Sequence, residues 1–236
     1  MKAIVLAGGK GTRLRPYTAI IPKPLMPIGD LTIVEILLRQ LAYFGISEAL
    51  MCVGYQAALI EAVIGDGSRH GLHVAYRREE EPLGTIGPLR AFASDLPDHF
   101  LVMNGDILCD LDFRALHHAG EKGGSPLTVA VCERESKIDL GVLDLGASGE
   151  VTGFREKPTY TFWVSMGIYA MSREVLRYIP PSGPFGFDDL MHTLLREGAP
   201  VKTFPFRGSW LDIGRGDDFA DAQERFERER TRYLPG

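Results

Sequence analysis

Residues 2–27 read KAIVLAGGKGTRLRPYTAIIPKPLMP, and the rest of the chain can be interpreted outward from this stretch. Ala3–Ala7 is a short unbroken apolar run, which is typical of a strand buried on both faces. The loop Gly8–Gly11 follows directly, and its three glycines allow a sharp turn and a close approach to a ligand. Successive main-chain N–H groups in such a loop form a concave site for phosphate oxygens. The stretch therefore predicts a phosphate-binding loop with three cations close behind it: Arg13, Arg15 and Lys23.

Two common phosphate-binding motifs do not match this loop. The Walker A motif requires Gly-Lys followed by Ser or Thr, whereas Gly11 follows Lys10 here. The dinucleotide-binding fingerprint requires a glycine at the position that Leu14 occupies. The loop is therefore a phosphate site of another kind.

The stretch resembles the signature of the sugar-phosphate nucleotidylyltransferases, also called NDP-sugar pyrophosphorylases. The resemblance is carried by GGKGTRL at 8–14, by Pro16 and Thr18, and by Pro22–Pro24. It implies an enzyme that transfers a nucleoside monophosphate from a nucleoside triphosphate to a sugar 1-phosphate and releases pyrophosphate. It also implies Mg²⁺ as the cofactor.

The pattern of apolar residues predicts the fold class. Apolar residues at helical spacing in 34–44 precede a second buried strand at 48–54, and a short helix at 57–64 precedes a third strand at 72–76. Strands alternating with helices indicate right-handed crossovers in a parallel sheet. With the resemblance, this predicts a Rossmann-like three-layer α/β/α fold with a mainly parallel central sheet, similar to GT-A glycosyltransferases. A charged closing helix begins at Asp217, and no hexapeptide repeat predicts a C-terminal β-helix.

Composition indicates a globular enzyme. The 236 residues suit one catalytic domain, 1–236, with the sugar-binding lobe within about 125–215. A formal net charge of −5 gives no basic footprint for nucleic acid. No run is long enough to span a membrane, and the glycine loop interrupts the first apolar run too early for a signal peptide. We expect a cytoplasmic protein whose three cysteines are buried free thiols: Cys52, Cys109 and Cys132.

The resemblance implies a set of nucleotide-binding residues. A second family stretch, Pro-Leu-Gly-Thr-Ala-Gly, lines the nucleobase and sugar pocket, and this chain matches it at Pro82–Gly87 except that Ile86 replaces the alanine. Thr85 either caps a helix or touches the substrate. The implied nucleotide-binding residues are Leu6, Ala7, Gly8, Gly9, Gly11, Thr12, Arg13, Lys23, Pro82, Gly84 and Thr85.

Two aspartates are the expected Mg²⁺ ligands. Phe100–Asp106 is an apolar run that ends on a carboxylate, and such a group is costly at the end of a core strand unless a cation meets it. Mg²⁺ suits this position because it prefers a few carboxylates together with phosphate oxygens. The resemblance assigns Asp106 to the metal. It assigns Asp212, in the motif Trp-x-Asp-Ile-Gly, as the second metal carboxylate.

The resemblance also implies residues for the sugar 1-phosphate. In the Glu-Lys-Pro motif at 156–158, Lys157 contacts the phosphate and Glu156 contacts sugar hydroxyls. The family's Asn-x-Gly-Ile-Tyr appears here with Ser165 in place of the asparagine, which can alter a sugar contact. The implied residues are Gly105, Gly141, Glu156, Lys157, Ser165 and Gly167.

Two other classes of function remain open from the sequence. Asp110-x-Asp112 is also the metal motif of many glycosyltransferases, although Asp112 can instead be the N-cap of a helix at 113–118. On that helix we interpret His117 and His118 as surface residues that bind no metal. A non-catalytic nucleotide-sugar-binding regulatory subunit is the other alternative, and release of pyrophosphate would separate the three.

The expected catalysis consists of positioning and charge neutralisation, because a phosphate dianion is already a competent nucleophile. The catalytic residues would be Arg13, Lys23, Asp106 and Lys157. The motifs Glu-Pro-Leu-Gly-Thr and Asn-Gly-Asp are most similar to the mannose-1-phosphate guanylyltransferase branch and its heptose relatives. We therefore expect GTP, with thymidylyl or uridylyl transfer to a hexose 1-phosphate as the alternative. A homo-oligomer would be usual for such a protein.

Overall fold

A computed structural model describes residues 1–214 and 216–234. The six α-helices in this part of the chain are α1 (Ile33–Tyr43), α2 (Ala57–Ile64), α3 (Phe113–Gly123), α4 (Phe187–Arg196), α5 (Gly216–Arg228) and α6 (Arg230–Tyr233). The strands are β1 (Lys2–Ala7), β2 (Pro27–Ile28), β3 (Leu31–Thr32), β4 (Glu48–Val53), β5 (His73–Arg78), β6 (His99–Asn104), β7 (Ile107–Cys109), β8 (Leu127–Lys137), β9 (Val142–Leu145), β10 (Val151–Arg155), β11 (Thr159–Ser172), β12 (Val201–Phe206) and β13 (Trp210–Asp212).

The central sheet has seven strands in the order β12-β8-β11-β6-β1-β4-β5. β1 lies inside it and pairs in parallel with both β4 and β6. The pairs β4–β5 and β8–β12 are also parallel, and only β11 runs antiparallel to its neighbours β6 and β8. The predicted mainly parallel sheet is confirmed.

Two hydrophobic cores lie on opposite faces of this sheet. On one face, Val5 of β1 packs with side chains of α1, α2 and α3. On the other face, the neighbouring Ile4 packs with α4 and with two six-residue 3₁₀ segments, Gly87–Phe92 and Arg173–Tyr178. Both Ile4 and Val5 are fully buried, which explains why β1 is a continuous apolar run. The three-layer α/β/α arrangement is confirmed.

β8 and β11 extend beyond the central sheet. The first six residues of β8 are buried and its last five are exposed, and β11 is similarly exposed over its first half. These exposed halves pair with each other, and the antiparallel hairpin β9–β10 lies between them in the chain. This region falls within 125–215, where the sequence predicts a sugar-binding lobe, and that role stays a prediction.

The C-terminal helices cover a third apolar cluster, which contains the buried Phe226 of α5 and Tyr233 of α6. Gln223 of α5 joins this part of the chain to its beginning, because its side chain accepts from the Gly29 N–H at 2.8 Å and donates to the Pro27 carbonyl at 2.6 Å. The predicted closing helix is confirmed.

All three cysteines are free and buried, as expected. Burial raises the pKa of the Cys109 thiol to about 12, so it stays protonated. Within the described residues, no helix combines the length and apolar character that a membrane crossing requires.

Candidate active site

A cavity of about 430 Å³ lies at the carboxyl ends of the parallel strands β1 and β6, where ligands bind in such sheets. The eleven residues that the sequence assigns to the nucleotide all line it, together with Asp106. Its walls also contain four residues that the sequence analysis did not select: Pro24, Glu79, Asn104 and Gly214.

The glycine loop lies close against neighbouring backbone. A Cβ at Gly54, after β4, would lie 2.9 Å from the carbonyl oxygen of Gly8, so side chains are excluded at this crossing. Gly11 has φ of +58°, and its carbonyl accepts a hydrogen bond from the Thr18 hydroxyl at 2.8 Å. The loop is thereby held in place as a wall of the cavity.

Another part of the cavity wall is formed by Gly84 and Thr85. Gly84 has φ of +78°, and a Cβ there would lie 2.6 Å from the carbonyl oxygen of Phe185, so only glycine fits. The Thr85 hydroxyl accepts a hydrogen bond from the Phe187 N–H at the start of α4, at 2.9 Å. Thr85 therefore supports a helix start, although the helix is α4 and not the segment that follows Thr85 directly.

Lys23 lies between the two aspartates predicted to bind metal. The Lys23 ammonium forms an ion pair with Asp106 and lies 3.8 Å from Asp212 Oδ1, and its side chain is 9% exposed. The structure thus brings Asp106 and Asp212 together around one cation, although 106 positions separate them in the sequence. They converge because the adjoining strands β7 and β13 pair antiparallel, with Asp212 opposite Ile107.

The carboxylates of this cluster can bind a second cation in addition to the Lys23 ammonium. Asp106 Oδ1 is buried and has no hydrogen-bond partner within the described residues. Burial raises the pKa of Asp212 and the negative charge of Asp106 raises it further, while Lys23 and Arg13 act in the opposite direction. Two carboxylates facing one ammonium, with one buried oxygen unpaired, fit the donor set that Mg²⁺ prefers.

The residues predicted for the sugar 1-phosphate do not line this cavity. Gly105 and Gly167 lie beside it: the Gly105 N–H bonds to the Leu6 carbonyl at 2.8 Å, and Gly167 packs against Asn104. Gly141 packs against Glu156 in the lobe. Lys157 and Ser165 are exposed, and Lys157 has an unusual positive φ of 43°. The assignment of these residues to a sugar phosphate stays a prediction.

Glu79 is the most informative residue that the sequence analysis missed. Its carboxylate lies against Gly8 and accepts from the Leu83 N–H at 3.3 Å, and burial raises its pKa. In the sequence, Glu79 begins a run of three acids, a pattern that usually indicates a solvated face. Its position directly after β5, at the carboxyl end of a parallel strand, was the available signal.

The alternative metal motif does not face the cavity. Asp110 accepts from the Ser209 N–H at 2.7 Å and pairs with Arg232, while Asp112 accepts from the Ala115 N–H at 2.9 Å as the N-cap of α3. Both carboxylates are thus engaged in holding the fold.

The interpretation of His117 as a surface residue is wrong. His117 is 4% exposed because α3 buries the face formed by Phe113, Leu116, His117 and Gly120. His118, the next residue, is exposed as expected.

Comparison with known proteins agrees with this geometry. A family model described as "Nucleotidyl transferase" matches residues 2–229, and the chain belongs to that family. It is 32% identical over 226 residues to a mannose-1-phosphate guanylyltransferase catalytic subunit beta of Danio rerio, with 93% of this chain and 62% of the relative covered. It is 33% identical over 243 residues to a UTP–glucose-1-phosphate uridylyltransferase of Synechocystis, with 94% and 62% covered. The chain thus spans less than two thirds of the length of these relatives.

The fold also matches solved structures. Superposition on HddC of Yersinia pseudotuberculosis gives a TM-score of 0.75 at 27% identity, and covers 95% of this chain and 99% of that one. These comparisons confirm the resemblance to sugar-phosphate nucleotidylyltransferases and the α/β fold class.

Proposed function

We propose that this protein transfers a nucleoside monophosphate from a nucleoside triphosphate to a sugar 1-phosphate and releases pyrophosphate. The observation that carries the proposal is that one cavity is lined by the glycine loop, Gly84, Thr85, Lys23 and Asp106, with Asp212 close to the Lys23 ammonium. The relatives named above carry names of this reaction type with different nucleotides and sugars, so both substrates belong to the proposal.

In the proposed reaction, an oxygen of the sugar 1-phosphate attacks the α-phosphorus of the triphosphate. A new P–O bond forms, the bond to the bridging oxygen breaks, and pyrophosphate leaves with that electron pair. Arg13 stabilises the outer phosphates as charge develops on them, and Lys23 neutralises charge at the reacting phosphates. Lys157 holds the incoming phosphate, which requires the exposed Lys157 segment to approach the cavity when the sugar 1-phosphate binds.

Asp106 and Asp212 would hold Mg²⁺, which supplies positive charge next to phosphate oxygens. The chain's own contribution here is to keep the two carboxylates together through the pairing of β7 with β13.

We favour GTP as the nucleotide, with a mannose- or heptose-type sugar 1-phosphate. Guanine presents two neighbouring N–H donors on one edge, and the carboxylate of Glu79 on the cavity wall can accept hydrogen bonds from both. A second solved structure similar to this chain is HddC of Yersinia pseudotuberculosis complexed with GMP-PN, which supports a guanine nucleotide for this fold.

Pyrophosphate release, measured with Mg²⁺ for five nucleoside triphosphates against several sugar 1-phosphates, tests the proposal. We expect the highest rate for GTP with a mannose or heptose 1-phosphate. A highest rate with UTP or dTTP would keep the reaction and reject the substrate assignment. Nucleotide binding without pyrophosphate release for any pair would reject the reaction in favour of a binding protein.

A further inference from the structure

A second cavity, of about 300 Å³, adjoins the first, and it is lined by Arg13, Arg134, Trp210, Leu211, Asp212, Gly214 and Asp218. The two cavities share Arg13 and Gly214. Asp106 lines only the first and Asp212 only the second, so the carboxylate pair lies where the cavities meet.

Arg134 of β8 is held on the wall of the second cavity. Its guanidinium carbon lies 4.8 Å from the centre of the Trp210 ring, and one guanidinium nitrogen donates to the Trp210 carbonyl at 2.9 Å. The indole N–H of Trp210 in turn donates to the Met166 carbonyl at 3.0 Å. Stacking and hydrogen bonding thus orient the guanidinium before any ligand arrives.

Arg13 and Arg134 share a second property. Within the described residues, neither has a carboxylate oxygen within 4.0 Å, whereas all four arginines of α5 and α6 are paired with acids. The walls of the second cavity also carry Asp212 and Asp218, whose carboxylates repel an anion. An anion can therefore bind only near the two guanidiniums. A guanidinium that is oriented but not neutralised is suited to phosphate oxygens.

The residues that the two cavities share indicate which anion this is. In the proposed function, the nucleotide has its base near Gly84 and its phosphates along the glycine loop, so its outer phosphates would lie near Arg13, which lines both cavities. In-line displacement requires the attacking sugar 1-phosphate on the opposite side of the α-phosphorus.

We propose that Arg134 and Arg13 together bind the diphosphate group, first as the outer phosphates of the nucleoside triphosphate and then as departing pyrophosphate. This inference rests on the proposed function for its orientation of the nucleotide. Trp210 acts as a positioning residue, because it touches the guanidinium of Arg134 and holds it toward the cavity.

The test measures binding by calorimetry with Mg²⁺ present, for wild type and Arg134→Gln, with pyrophosphate, GTP and GMP as probes. A charge-assisted hydrogen bond supports a loss of about tenfold or more in affinity for pyrophosphate and GTP, with GMP changed less than about twofold. Arg207→Gln, which alters an exposed arginine outside both cavities, is the matched control. Thermal unfolding checks that each variant is folded.

Trp210→Leu provides a second variant that keeps Arg134. It should weaken pyrophosphate binding in the wild-type background and add little in the Arg134→Gln background, because both changes remove the same contact. Additive losses would show that Trp210 does not act through Arg134.

Equal losses for GTP and GMP, no loss for pyrophosphate, or an increased KM for the sugar 1-phosphate alone would each overturn the assignment of Arg134 to the diphosphate. Arg134-dependent pyrophosphate binding in a protein that releases no pyrophosphate with any substrate pair would reject the proposed reaction and leave the diphosphate site standing. The two failures are thus distinguishable.

Discussion

At the scale of single residues, the sequence predicted the residues that line the first cavity better than the residues that line the adjoining second cavity. Gly84 and Asp106 belong to contiguous motifs, so their chemistry could be recognised without knowing the fold. Arg134 and Trp210 are 76 positions apart, and their contact depends on how β8 and β13 are placed, which no local pattern encodes. For His117, by contrast, the sequence contained a local signal that was overlooked. Positions 113, 116, 117 and 120 lie on one face of a helix, and this spacing indicates burial.

Asp106→Asn should lower turnover by about a hundredfold or more while the protein stays folded. The substitution removes the negative charge that pairs with Lys23 and that is proposed to hold Mg²⁺. Steady-state pyrophosphate release measures the effect, and Asp139→Asn, at an exposed loop position, is the control. Turnover close to that of wild type would remove Asp106 from the mechanism.

The buried His117 should make the folded protein sensitive to mild acid. Burial lowers the pKa of His117 below its value of about 6.5 in an unfolded chain, so the unfolded state takes up the proton first as the pH falls. The stability advantage of wild type over His117→Gln should therefore be present above about pH 6.5 and shrink toward pH 5. Urea unfolding at several pH values tests this, with His192→Gln on the exposed face of α4 as the matched control.

At the scale of elements, local signals predicted the existence of helices and strands, and packing determined their details. The helix expected at 34–44 is α1, and the strand expected at 48–54 is β4. The irregular pairing of β11 was not predictable: between Ser165 and Tyr169 it advances four residues while β8 advances two. Those extra residues bring Gly167 against Asn104, and the contact exists only because β11 also pairs with β6.

The start of α1 provides a prediction for an element. The Thr32 hydroxyl accepts from the Glu35 N–H at 3.3 Å, and the Glu35 carboxylate accepts from the Thr32 N–H at 2.9 Å. Thr32→Ala should reduce the free energy of unfolding by about 1 kcal/mol, and Thr32→Ser should retain most of it because the hydroxyl remains. Chemical denaturation of the three proteins gives the comparison. Equal losses in both variants would show that the cap does not stabilise α1.

At the scale of the whole molecule, the candidate active site is packed against the C-terminal helices. Leu14 and Ile213, the residues next to Arg13 and Asp212, are buried in the same cluster as Phe226 and Tyr233. Arg230 of α6 also pairs with Asp30, at 2.5 and 3.1 Å. The amphipathic stripe of α5 could be recognised in the sequence, whereas its partner surface could not, because that surface combines residues between positions 14 and 36 with Leu108, Leu211 and Ile213.

Phe226→Ala should destabilise the protein by about 3–5 kcal/mol, because Phe226 is fully buried and the change leaves a cavity. Phe219→Ala, at a partly buried position of the same helix, should cost less. Denaturant unfolding measures both. Similar losses at the two positions would contradict the view that Phe226 anchors α5.

The distance in sequence between Arg13 and Asp212 has a consequence for synthesis of the protein. The ribosome makes the strand that carries Asp212, with the helices that support it, about 200 residues after it has made the glycine loop. At roughly 5–20 residues per second, synthesis of the intervening residues takes on the order of 10–40 s. During synthesis the glycine loop is therefore present before Asp212, and the candidate site can be complete only after α5 and α6 have emerged.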